Sequence, residues 1–188
     1  MSDIKLERSE INVLSKALEW HEKGRRVCIV SVIKTWGSSP RPVGAMMSIN
    51  SDGLSIGSVS GGCIEDELLT KIVNNFPKIS SLLSFSSEEH RSLPCGGHVD
   101  LLVEPITDSN EWYELLSRLK SFKNIFRLID KENPNNCELK EVNINRDNLK
   151  EKIVINYPPP WRLLIIGSGD LSLSVFKISS LMGYNVSI

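Results

Sequence analysis

The sequence lacks long apolar runs, an excess of charge and a recognisable leader segment. No stretch approaches about 18 consecutive apolar residues, so neither a transmembrane helix nor a membrane partner is expected. The formal net charge of −1 argues against a nucleic-acid protein, which would show a basic face. The first residues, MSDIK, lack the apolar segment of a secretory signal. Together these absences predict a cytoplasmic protein.

Cysteine is also scarce, with four residues in 188. In a cytoplasmic protein these are expected to be reduced thiols and not a disulfide framework. Cys28 lies within an apolar run and is expected in the core, and Cys137 has no functional context. Cys63 and Cys95 differ because each lies in a glycine-rich loop, GGCIE and PCGGH. Glycine removes side-chain bulk next to the sulfur and lets the backbone approach a ligand.

Apolar residues make up 40% of the chain, enough for a substantial core. The order of helical and strand patterns predicts an α/β fold class. An α+β N-terminal domain with a mixed sheet is expected first, followed by a partial Rossmann-like β-α-β unit. Helices are predicted at 10–23, 64–76, 110–120 and 173–182. Strands are predicted at 26–34, 45–49, 54–60, 79–85, 99–104, 124–130, 137–144, 152–156, 162–166 and 184–188.

The clearest domain boundary is the segment YPPPW at 157–161, because three prolines favour an extended, semi-rigid spacer. It separates an N-terminal domain at 1–156 from a β-α-β fragment at 162–188. The fragment carries a dinucleotide-like glycine turn made by Gly167, Gly169 and Ser172. The acidic residue that would bind a ribose, about 20 residues further on, would lie at or beyond the last residue. The turn is therefore interpreted as vestigial, and NAD(P) is not expected as a cofactor.

Three loops could carry chemistry. In GSSPRPVG at 37–44, Ser38 and Ser39 supply hydroxyls. Prolines on both sides of Arg41 pre-position its guanidinium, either for a phosphate or carboxylate ligand or for an ion pair that ties the loop down.

The second loop leads into a helix. Ser60, Gly61 and Gly62 could form an anion-binding nest at the helix start. The same helix start would stabilise a thiolate at Cys63, whereas Glu65 would oppose it. The alternative is that the glycines only make a sharp turn and that Cys63 fills the core.

The third loop contains Cys95, Gly96 and Gly97, followed by His98. The histidine could act as a base, ligate a metal or bond to a backbone carbonyl. Cys63, Cys95 and His98 would make three zinc ligands, but no fourth is evident and the spacing fits no standard zinc motif. The two thiols, Cys63 and Cys95, remain the candidate metal ligands.

Three blocks, TWGSSPRPVGAM at 35–46, GSVSGGCIE at 57–65 and PCGG at 94–97, closely resemble the XdhC family. YPPP at 157–160 followed by LIIGSGD at 164–170 resembles the start of that family's second, Rossmann-like domain. That domain is normally complete in the family, whereas this sequence reaches its last residue after one β-α-β unit. The resemblance therefore predicts a family member with a truncated second domain.

The resemblance implies an accessory protein, not itself an enzyme, for xanthine dehydrogenase-type molybdenum hydroxylases. Such a protein would bind molybdenum cofactor transiently, allow a cysteine desulfurase to exchange its oxo ligand for sulfur, and deliver it to the apoenzyme as a homodimer. Carried over to this sequence, the cofactor-binding residues would be those of the three loops. They are Ser38, Ser39, Arg41, Ser60, Gly61, Gly62, Cys63, Cys95, Gly96 and Gly97.

Other functions stay open at this point. Reactive thiols would also suit a thiol-dependent sulfurtransferase. The glycine turn would suit an NAD(P)-linked oxidoreductase. A third possibility is a degenerate paralogue that dimerises without binding a ligand.

Overall fold

The computed structural model describes residues 8–37, 41–86, 97–121, 123–141, 149 and 151–188. The helices in these ranges are α1 (Ser9–Glu22), α2 (Glu65–Asn74), α3 (Asn110–Leu119) and α4 (Asp170–Leu181). The first strands are β1 (Val27–Trp36), β2 (Met46–Asn50), β3 (Ser55–Gly57), β4 (Ser81–Ser86) and β5 (His98–Pro105). The later strands are β6 (Ile125–Asp130), β7 (Cys137–Lys140), β8 (Lys152–Tyr157), β9 (Arg162–Leu164) and β10 (Asn185–Ser187).

The predicted elements are confirmed, with shifts at their ends. Helix α4 begins at Asp170, three residues before the predicted start, and β3 ends at Gly57 because the chain turns there toward α2. The predicted turn between β2 and β3 forms as expected. Asn50 accepts hydrogen bonds on its side-chain oxygen from the N–H groups of Asp52 and Leu54. Gly53 takes a φ of +81°, which glycine adopts without strain.

The α/β fold class is confirmed, but the expected mixed sheet is not what forms. The main sheet has the order β3-β2-β1-β5-β4 and is antiparallel throughout. Helix α2 carries the chain from one edge of this sheet to the other. Strands β3 and β4 therefore run in the same direction but are separated by three strands and do not pair. Among the described strands, parallel pairing occurs between β9 and β10.

The main sheet is covered on both faces, which explains why β1 is a continuous apolar run. Its residues from Val27 to Val32 are all buried. Alternate side chains belong to two cores, since Val27 and Ile29 face one and Val30 and Val32 the other. The first core contains residues of α1, α3 and the three-stranded sheet β7-β6-β8; the second contains residues of α2.

One buried ion pair joins the two antiparallel sheets. Arg127 of β6 donates two hydrogen bonds of 2.8 Å to the carboxylate of Glu104 of β5, and both side chains are almost fully buried. Glu111 accepts two further bonds from Arg127, and the guanidinium lies 4.5 Å from the ring centre of Trp112. Burial alone would lower the pKa of Arg127, but the two carboxylates outweigh it and raise the pKa. The guanidinium of Arg127 therefore stays charged, whereas burial outweighs the effect of Arg127 on Glu104 and raises the pKa of that carboxyl group.

The C-terminal unit, residues 162–188, forms the expected β-α-β arrangement. No residue of α4 is buried, and Ile166 is 92% exposed. A single β-α-β unit has too few elements to cover both faces of its strand pair. Tyr157, the first residue of the predicted linker at 157–161, is the buried last residue of β8, and the domain division there stays a prediction. In the parts of the chain described, no helix combines the length and apolar character needed to cross a membrane.

Candidate functional site

The sheet topology brings the described residues that flank the three predicted loops to one end of the main sheet. The loop at 37–44 follows the last residue of β1, and the GGCIE loop follows the last residue of β3. The segment with Cys95 leads into the first residue of β5, which pairs with the end of β1 through His98 and Trp36. Ser38, Ser39, Cys95 and Gly96 themselves lie outside the described residues, so their predicted roles stay predictions.

Arg41 connects the first two loops. Its Nε donates a 3.1 Å hydrogen bond to the backbone carbonyl of Ser58. Nearby, Gly44 has a φ of +93°, and a Cβ there would come within 3.2 Å of Ile155. This backbone conformation lets the first loop pack on the three-stranded sheet. The bond to the neutral carbonyl of Ser58 links the two loops, and the anion-binding role of Arg41 stays a prediction.

The second loop is organised around the carboxylate of Glu65. One oxygen, Oε1, accepts from the Ser58 hydroxyl at 2.6 Å and from the N–H groups of Val59 and Ser60 at 3.1 and 2.9 Å. The other oxygen, Oε2, accepts from the Ser60 hydroxyl and from the N–H groups of Gly62 and Ile64 at 2.9 and 3.2 Å. Burial acts to raise the pKa of Glu65, but these bonds outweigh it and lower the pKa to about 2.

The anion-binding nest expected at Ser60 and Gly62 thus exists, and the anion that occupies it is the protein's own carboxylate. The interpretation of Glu65 as a group that merely opposes a thiolate missed this role. The signal was in the sequence, because an acid in the first turn of a helix can reach back to N–H groups that precede the helix. Glu65 is therefore the group that fixes the loop.

The clamped loop presents Cys63 beside open space. Gly61 and Gly62 have φ angles of +83° and +113°, and a Cβ on Gly62 would meet no atom of the described residues within 4 Å. The Cys63 N–H donates to the Ser60 hydroxyl at 3.0 Å. The Cys63 side chain is half-buried and packs against the second core. The loop is thus held by hydrogen bonds to Glu65 and Ser60, and it has open space beside Gly62.

The other described cysteines are poor candidates for ligand binding. Cys28 is fully buried in β1, and this burial raises the pKa of its thiol. Burial also raises the pKa of Cys137, to about 12, against the opposing influence of Arg127. Both side chains are therefore neutral thiols at pH 7. Among the described cysteines, Cys63 remains the candidate.

His98 has a partner that fixes its orientation. Its Nε2 lies 2.7 Å from the Asp100 carboxylate, which also accepts from the Ser84 hydroxyl at 2.6 Å. Burial acts to raise the pKa of Asp100, but these contacts outweigh it and lower the pKa. Gly97 is buried immediately before the histidine. In the described ranges no group of three or more His, Cys, Asp or Glu side chains is arranged to hold a metal ion.

The glycine turn of the C-terminal unit has one close contact. Gly167 takes a φ of +156°, and a Cβ there would lie 2.6 Å from the Ser172 hydroxyl oxygen. Gly169 is the residue before α4, and Asp170 occupies the first position of the helix. A carboxylate there would repel a pyrophosphate. The expectation that this turn is vestigial stays a prediction.

Comparisons with known proteins agree with the fold and the motifs. The model of the XdhC and CoxI family matches residues 20–77, which include the first two loops. The chain is 25% identical over 183 residues to the molybdenum cofactor insertion chaperone PaoD of Escherichia coli (strain K12), and this match covers 92% of the chain. It spans 55% of the length of that relative.

A solved structure of a protein described as a xanthine dehydrogenase from Bacillus halodurans is similar with a TM-score of 0.69 and 20% sequence identity. The similarity covers 95% of this chain and 61% of that protein. At this identity the likeness shows the fold alone.

Proposed function

We propose that this chain, an XdhC-family protein, is a chaperone that binds molybdenum cofactor at the loop end of the main sheet and delivers it to a molybdenum hydroxylase. The observation that carries the proposal is the half-exposed thiol of Cys63, held on a clamped loop beside the open side of Gly62. The similarity to a cofactor insertion chaperone, over 92% of this chain, supports the same role.

The chemistry of the loop suits molybdenum cofactor. A thiolate is a soft ligand that matches a molybdenum centre carrying oxo and sulfur ligands. Cys63 supplies one such group, and we propose that Cys95 supplies a second from the neighbouring loop. The open space beside Gly62 would admit the pterin, whose phosphate would be bound by Ser38, Ser39 and Arg41. Because Glu65 fills the nest at Ser60, the phosphate would not bind there unless Glu65 moved.

The proposal also covers the partner proteins, the oligomeric state and the place of action. The apoenzyme would be of the xanthine dehydrogenase type, and a cysteine desulfurase would replace the oxo ligand with sulfur while the cofactor is bound. Binding would be transient, the chain would act as a homodimer, and the site of action would be the cytoplasm. The domain division at 157–161 is proposed to separate the cofactor-binding part from the β-α-β unit.

Metal retention tests the proposal. Full-length protein is mixed with molybdenum cofactor under anaerobic conditions and passed through a gel-filtration column, and molybdenum per chain is measured by metal analysis. Cys63→Ser and Cys95→Ser are each expected to reduce retained molybdenum at least about fivefold, because each removes one soft ligand. Cys137→Ser is the matched control, since its thiol belongs to β7 of the three-stranded sheet and is influenced by Arg127. Undiminished retention by both test variants would refute the thiol assignment.

The same thiol favours a second candidate, a thiol-dependent sulfurtransferase. Cys63 as a thiolate would attack the outer sulfur of a donor persulfide and release the donor as a thiolate, which leaves a persulfide on Cys63. Mass spectrometry after incubation with a persulfide donor would show a gain of one sulfur atom at Cys63. Such a gain, together with sulfur transfer in the absence of cofactor, would favour this candidate over the chaperone.

A further inference from the structure

A cleft opens at the opposite end of the main sheet from the candidate site. Its volume is about 460 Å³, and it lies where the connections after α1, α2 and β5 meet. Val27 and Pro105 line it, whereas Trp36 and His98 are at the other ends of the same two strands. Strand β1 has ten residues, which correspond to about 30 Å. One small ligand therefore cannot occupy both sites.

The cleft concentrates positive charge in a protein that has almost no net charge. Its lining includes His21, Arg25, Arg26 and Lys78, and no carboxylate side chain is part of it. Arg25 forms an ion pair of 3.1 Å with Asp52. For Arg26 and Lys78, no carboxylate of the described ranges lies within ion-pair distance. Two cations thus border the cleft without a neutralising acid among the described residues.

These cations are not needed to complete the helix that ends at the cleft. Three of the last four carbonyls of α1 accept hydrogen bonds from the backbone N–H groups of Lys23, Gly24 and Arg25, at 3.2, 2.9 and 3.1 Å. Helix carbonyls without such partners would explain basic side chains in this position. Since backbone groups already satisfy them, the side chains of Arg26 and Lys78 stay available to an incoming anion.

The remaining walls of the cleft are apolar. The half-buried ring of Phe76 lies against the guanidinium of Arg26, 4.8 Å from ring centre to guanidinium carbon. Ile106 and Pro105 also line the cleft. The ring contact restricts Arg26 to one side of the cleft. An apolar wall with charged groups at its rim suits a ligand that has an apolar body and an anionic group.

We propose that this cleft binds a small phosphorylated compound. The phosphate lies between Arg26 and Lys78, and the apolar body rests against Phe76 and Ile106. A guanidinium offers a fork of N–H donors that matches phosphate oxygens, and the lysine adds a mobile point charge. This site is independent of Cys63, of Glu65 and of the cofactor role proposed above.

Titration of the full chain with phenyl phosphate tests the proposal. Calorimetry measures affinity, and backbone amide shifts in NMR spectra locate the site. Binding is expected to shift the amides of Gly24, Val27 and Thr107, and Arg26→Gln or Lys78→Gln should each weaken it about tenfold. Lys71→Gln is the matched control, because it removes a lysine charge from α2 outside the cleft. Inorganic phosphate should bind at least about fivefold more weakly than phenyl phosphate.

Four results would overturn the proposal. They are the absence of binding at millimolar phenyl phosphate, equal weakening by Lys71→Gln, equal affinity for inorganic phosphate, and shifts confined to residues 57–65. Thermal melts of each variant show whether the fold is intact. Because the cofactor test uses molybdenum retention by cysteine variants, either proposal can fail without the other.

Discussion

The hydroxyl of Ser58 donates to the carboxylate of Glu65 across 2.6 Å, which ties the end of β3 to the first turn of α2. Arg41 holds the carbonyl of the same serine. Cys63 lies between these two anchored points, so its position depends on a carboxylate that does not itself need to contact any ligand.

Removing the charge of Glu65 should loosen this loop. Glu65→Gln keeps the shape but loses the ability to accept six hydrogen bonds on two oxygens, and unpaired N–H groups are left behind. We expect the free energy of unfolding to fall by about 2–3 kcal/mol, measured by urea denaturation. Asp66→Asn, at the next position of α2, is the control and should change it by less than about 0.5 kcal/mol. Equal effects of the two substitutions would rule out the clamp.

The same carboxylate predicts a pH dependence. The pKa of Glu65 is about 2 in the folded protein against an ordinary value of 4.5. Because the folded-state pKa is depressed, its stabilisation is complete above about pH 5 and is lost as the pH falls toward 2. The difference in unfolding free energy between the native protein and Glu65→Gln should therefore shrink between pH 5 and pH 3. A difference that stays constant over this range would contradict a charged clamp.

The buried pair of Arg127 and Glu104 should be a major contributor to stability. Glu104→Gln removes the negative charge that pairs with the guanidinium of Arg127, at a site where both side chains are almost fully buried. We expect a loss of about 3–5 kcal/mol in unfolding free energy. Glu138→Gln removes one partner of the exposed pair with Lys140 and should cost less than about 1 kcal/mol. Comparable losses in both variants would show that burial does not govern the strength of the pair.

Gly57 should tolerate no side chain. A Cβ at this position would lie 2.3 Å from the Met46 carbonyl oxygen and 2.6 Å from a methyl group of Val13, at a φ of +89°. Gly57→Ala should therefore cost about 3 kcal/mol and displace the loop that follows. Gly24→Ala shares the positive φ but meets no atom within 4 Å, so it should cost only about 1 kcal/mol. Thermal or urea unfolding of the two variants makes the comparison, and similar losses would contradict the contact argument.

Much of the local structure was predictable because it depends on neighbouring residues. The turn that contains Gly53 and the end of α1 shortly before Gly24 follow from glycines that adopt positive φ angles. The burial of Cys28 followed from the apolar run around it. The antiparallel order of the main sheet was not predictable in this way, since it depends on α2 crossing from one edge of the sheet to the other.

The sequence alone determined where helices, strands and turns form, which family the motifs resemble, and that Cys63 lies at a glycine turn before a helix. Such features depend on chain stiffness and on apolar periodicity within short segments. Only the tertiary structure decided that Glu65 fills the anion nest, that Arg41 holds Ser58, and that basic residues from separate connections border one cleft. These relationships join groups that are distant in the sequence or require a backbone turn of defined shape, and neither is specified until the sheet and its helices have packed together.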